Sequence, residues 1–153
     1  MKLVLQQQQQ QIDRMKTIFP SEMLNSSQEA MTLESIASKL TYFEVQLHLI
    51  HWQTSGYAEH MAVGSLYDYV HDFKDGLMEK LMGYTGRKPA VFRLEPLTAT
   101  SANVVVAEMM SWASQLKSYG EVNGYHDICN LADDFSGTSA KTKYLLKIGR
   151  AHV

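Results

Sequence analysis

The chain has 153 residues, 45% hydrophobic and 20% charged, with a formal net charge of -2 and a pI near 6.3. That length fits one domain with a real core, and the charge balance excludes the strong basic field of a general nucleic-acid binder. One cysteine, Cys129, excludes an internal disulfide, and no apolar run approaches the roughly 20 residues of a membrane span, so the expectation is a cytoplasmic protein.

The chain opens on "MKLVLQQQQQQ", too short and too polar for a signal peptide. Residues 1–29 read as a glutamine-rich arm with little order, because their few apolar residues cannot form a core. A helical domain is expected over 30–149, with a short tail at 150–153.

The first bundle helix is expected over about 29–54, where Leu33, Ile36, Ala37, Leu40, Phe43, Leu47 and Ile50 recur at spacings of three and four. It stops at "SGY", where Gly56 suits a tight reversal. The second helix is expected over 58–83. Two long helices joined by so short a turn must be antiparallel neighbours. The following stretch, 84–101, holds two prolines and no helical period. Extended, it spans roughly 59 Å against about 37 Å for a 25-residue helix, enough to return the chain along the bundle. A third helix is expected over 102–118, with Val105, Met109, Trp112 and Leu116 on one stripe, then a turn at "YGEVNG". The fourth begins near His126 and is expected to break or kink at Gly137. Two hairpins joined by a long crossover describe an all-α, ferritin-like bundle.

On the second helix His60, Asp68, His71, Asp75 and Glu79 share a sector about 100° wide, opposite the apolar stripe of Ala62, Leu66, Val70, Phe73 and Leu77. His51, beside Trp52, falls on the inner edge of the first helix. Imidazole with carboxylate is a ligand mix that suits iron. The bland reading is equally physical: charged residues at such spacing usually form a solvated face. Core packing is the ordinary role for both tryptophans, and His48 carries no assigned role. No nucleophile triad, phosphate loop or cysteine zinc pattern is present.

"HLIHWQTSGYAEH" resembles the Dps-type mini-ferritins, which carry a His-Trp-Asn-x-x-Gly segment and a second histidine shortly after. His51, Trp52 and Gly56 match the first segment. Asp75 lies fifteen residues after His60 and Glu79 four beyond it, the spacing of that family. "EKLMGYTGRKP" resembles the family's ending of the same helix. The specific part covers about 47–89. The resemblance implies a homo-oligomer, a dodecameric cage, with mono- or di-iron sites across two-fold interfaces. His51 and His60 would come from one subunit, Asp75 and Glu79 from its neighbour, and Trp52 would quench oxidising equivalents. Fe(II) and peroxide or oxygen would be the reactants of a ferroxidase. Nucleic acid is not an expected partner, because the arm is rich in glutamine rather than lysine.

Three departures bear on that activity. The family's acidic ligand four residues after the second histidine is Gly64 here, with Asp68, or less directly His71, as a replacement. The loop between His51 and His60 is three residues shorter than in the family. The crossover lacks the family's short extra helix. An oligomer that kept its architecture and lost rapid oxidation is the alternative, with a structural or partner-binding bundle beside it.

Overall fold

The computed structural model describes residues 2–18 and 30–150. By contacts the chain divides into two units, Met1–Ala30 and Met31–Val153. In the first, α1 spans Lys2–Ile18 and takes in the whole glutamine run. An arm of little order was expected there. Glutamine, leucine, methionine and lysine all lose little rotamer freedom in a helix, so local propensity favours this one without a core. Leu3, Val4 and Leu5 are exposed on it. The rest of the expected arm, 19–29, and the tail from 151 lie outside the described residues.

The second unit contains α2 (Leu33–Gln53), α3 (Tyr57–Thr85), α4 (Ala102–Asn123) and α5 (His126–Arg150). No strand occurs among the described residues, so the fold is all-α. Thr32 caps α2 through a reciprocal pair of bonds with Ser35, and Ser101 caps α4 at the Val104 N–H. Each helix buries one stripe: Leu40, Phe43 and Leu47 from α2, Leu66, Val70 and Leu77 from α3, Val105, Met109 and Trp112 from α4, and Ile128, Phe135 and Leu146 from α5. Phe135 is the hub, with ring centroids 4.7 Å from Phe73, 5.3 Å from Trp112 and 6.3 Å from Phe43. The helices meet in a closed square, α2 on α3, α3 on α5, α5 on α4 and α4 on α2.

Three boundaries differ from expectation. α2 begins at Leu33, behind the Thr32 cap, rather than near residue 29. α4 continues through Tyr119–Asn123, and the turn is confined to Gly124 and Tyr125, because only Gly124 there adopts a positive φ, 71°. α5 passes Gly137 without interruption. A lone glycine costs a helix only about 1 kcal/mol, which burial on both sides of it offsets.

Residues 86–101 form an extended strap lying along α2. The Ala90 N–H donates to Glu34, the Arg93 carbonyl accepts from Ser38 Oγ, and Glu95 pairs with Lys39 at 2.9 Å. Further on, the fully buried Gln46 places its amide on the peptide groups of Thr98, at 3.0 Å to the N–H and 3.1 Å to the carbonyl. Lys39 also reaches Glu108 of α4 at 2.6 Å, tying strap and helix to one ammonium.

Candidate functional site

The α2–α3 turn is three residues long, and its antiparallel geometry sets His51 opposite His60. Their rings stack at 3.7 Å between centroids, 21° apart. His51 Nδ1 lies 2.8 Å from the His60 carbonyl and His60 Nδ1 lies 2.9 Å from the His51 carbonyl. A carbonyl only accepts, so each neutral ring carries its proton on Nδ1 and presents a lone pair at Nε2. Among the described residues neither Nε2 makes a hydrogen bond, and neither is a buried, unpartnered atom. Main-chain carbonyls that fix the tautomer through the other nitrogen are the usual support of a metal-binding imidazole.

Gly64 contributes by having no side chain. A Cβ there would stand 3.0 Å from His51 Cε1 and 3.1 Å from His51 Nδ1. The space beside Gly64 is therefore filled by the edge of an imidazole, and a side chain there would displace it.

Around the pair stands an aromatic column that sequence reasoning missed. His48 lies 4.1 Å from Trp52 and stacks on Tyr67 at 4.2 Å, while Tyr67 meets His51 edge-on at 5.2 Å. Trp52 is 68% exposed and so sits at the rim of the cluster rather than in the core. Trp112 is buried, as core packing required. The signal for the column was present in spacing, since His48 precedes His51 by one turn and Tyr67 follows His60 by two.

The other expected ligands stand elsewhere. Asp68, Asp75 and Glu79 are exposed on α3. Fifteen residues of helix separate His60 from Asp75, roughly 22 Å of rise, so one chain does not bring them together. His71 is engaged by Glu44 at 2.8 Å, and Lys74 holds the other Glu44 oxygen at 2.6 Å. Burial pushes the Glu44 carboxyl up, but Lys74 and His71 outweigh it and leave it below the ordinary carboxylate range. Among the described residues, no group of three or more His, Cys, Asp or Glu side chains is placed to hold a metal ion.

Residues 51–146 match the model of a family described as a family of unknown function (DUF5856). That is well over half of the chain. The chain belongs to this family. No curated protein and no solved structure matches it. The matched region begins at His51 and takes in His60, Gly64, Tyr67 and the exposed α3 carboxylates, but not His48 on the opposite side of the column.

Proposed function

We propose that the four-helix unit is a ferritin-like bundle of the Dps type that binds Fe(II) between copies of itself and oxidises it, as a cage oligomer. His51 and His60 of one copy and Asp75 and Glu79 of another form the site, with Asp68 as a further carboxylate and Trp52 at its rim. The observation that carries this reading is the reciprocal histidine bridge. It engages both Nδ1 atoms and leaves both Nε2 atoms without a hydrogen bond among the described residues, at one end of the bundle. The donor set suits iron: imidazoles from one chain, and carboxylates that stabilise the ferric state from the next. Fe(II) is the substrate; it loses an electron to peroxide or oxygen while the side chains hold it and leave a position open for the oxidant. The two hairpins and the strap that returns along α2 support the ferritin-like assignment.

A second reading is favoured by Gly64. With His51 occupying that space, the stacked imidazoles act as the clasp of the hairpin, and the oligomer carries no oxidation centre. Anaerobic Fe(II) loading followed by peroxide separates the two. The expected result is a fast ferric absorbance in the wild type that His60→Ala abolishes, with the oligomer intact by light scattering. Equal slow traces from both proteins would leave the clasp as the role of the pair.

A further inference from the structure

Where α4 begins and α5 ends, a cleft of about 570 Å³ is lined by Asn103, Ala140, Lys143, Tyr144, Lys147 and Arg150. Lys143, Lys147 and Arg150 stand at i, i+4 and i+7, so their side chains share a stripe of α5 about 60° wide. Among the described residues no carboxylate lines the cleft. The ion pairs among the described residues engage Lys39, Lys74, Lys80, Arg87, Lys117 and His71 and none of these three cations. Arg150 is positioned by a neutral group instead. The Asn103 amide, turned with its oxygen toward the guanidinium, accepts from Nη1 and Nη2 at 2.9 and 3.0 Å. The Tyr144 ring is 60% exposed at the same cleft.

Cations at a helix C-terminus ordinarily complement the helix dipole, and Lys147 and Arg150 lie in the last turn of α5. That effect fades within a turn, so it leaves Lys143 unexplained. It also leaves unexplained why the three converge on one cleft with no counter-charge among the described residues. We infer that the cleft binds a phosphate-bearing anion of nucleotide size. Three cations match the charge of a phosphate chain better than that of a single carboxylate. A guanidinium fork beside two ammonium groups is a common phosphate-binding set. The volume falls in the range of small-molecule sites, roughly 300–1,000 Å³. The exposed Tyr144 face is available to stack on a base. This site uses none of the residues proposed for iron.

A fluorescent ATP analogue, titrated by anisotropy into the full chain in metal-free buffer at physiological salt, tests the inference. Lys147→Gln, Lys143→Gln and Arg150→Gln each weaken binding by about tenfold or more, while Lys88→Gln, an exposed cation on the strap, leaves it unchanged. Pyrophosphate competes and adenosine does not. Tyr144→Leu weakens the nucleotide several-fold and leaves pyrophosphate competition as it was. No binding, or an equal loss in Lys88→Gln, would overturn the proposal. So would binding confined to single-stranded oligonucleotides and growing with their length, which would make the stripe a nucleic-acid track. The substitutions lie on an open surface, and unchanged circular dichroism keeps a lost signal from being a lost fold.

Discussion

The α2–α3 and α4–α5 turns reverse the chain over similarly few residues, but they are closed by different atoms. At the α4–α5 turn the main chain does it: Gly124 takes φ 71°, its N–H reaches the Glu121 and Gly120 carbonyls, and the Tyr125 N–H donates to Gly120 at 2.8 Å. At the α2–α3 turn no residue has a positive φ, and Gly56 precedes α3 without a side-chain cap. There two imidazoles close the gap by bonding across it. A turn held by peptide groups leaves nothing reactive behind. A turn held by histidines leaves two aromatic nitrogens in fixed places, and that is where chemistry is to be sought.

The largest effect is expected where the main-chain turn has no spare room. A Cβ on Gly120 would lie 2.8 Å from Cys129 Sγ and 3.2 Å from the Cys129 nitrogen and the Tyr125 carbonyl. Gly120→Ala should lower stability by roughly 1–3 kcal/mol in urea unfolding. If it does not, the α4–α5 turn is looser than its bonding implies. His60→Ala removes one ring of the clasp and the donor to the His51 carbonyl, and should cost about 1 kcal/mol. A change of several kcal/mol would mean that the side-chain turn is the more rigid of the two.

Gly64 and Gly76 offer a finer test within one helix. Ala in a helix interior is favoured over Gly by about 1 kcal/mol. Nothing lies within 4 Å of a Cβ on Gly76, so Gly76→Ala should raise the melting temperature. Gly64→Ala must push the His51 ring aside and should forfeit that gain. Equal gains would show that His51 moves freely, and the clasp would not be tight. The smallest effect expected is Lys74→Gln, about 0.5–1 kcal/mol at neutral pH. The Glu44 carboxyl is held below its unfolded value, so its contribution is complete above the unfolded pKa of about 4.3. It is lost as pH falls through the lower folded value. The difference between wild type and variant should therefore shrink below about pH 4.

The four bundle helices were legible because each carries an apolar stripe at helical spacing, with the two reversals marked by the glycine-bearing stretches that hold Gly56 and Gly124. Their ends were less so. Gly120 and Gly137 read as breakers on local chemistry, yet one is a close-packing contact and the other an exposed position inside a helix whose two halves are both buried. The glutamine run reads as disorder by composition and folds as a helix by propensity. At the site, the spacing of His51 and His60 across a short reversal was visible. Their mutual bonds to main-chain carbonyls were not, because side-chain direction across a turn depends on its backbone angles. The α3 sector seen on the helical wheel is one face, but a face about 22 Å long is not a cluster.

The strap has a consequence for how the molecule is made. Each hairpin is assembled from contacts close in sequence, such as His51 with His60 at a separation of nine and Lys117 with Asp133 at a separation of sixteen. Gln46 meets Thr98 across 52 residues, and its amide is satisfied only when the strap is in place. Closing long loops is the slow part of folding. The two hairpins are therefore expected to form early, with the burial of Gln46 accompanying their later joining. A chain stalled before that step would hold the histidine clasp already formed, with half of the bundle core still facing water.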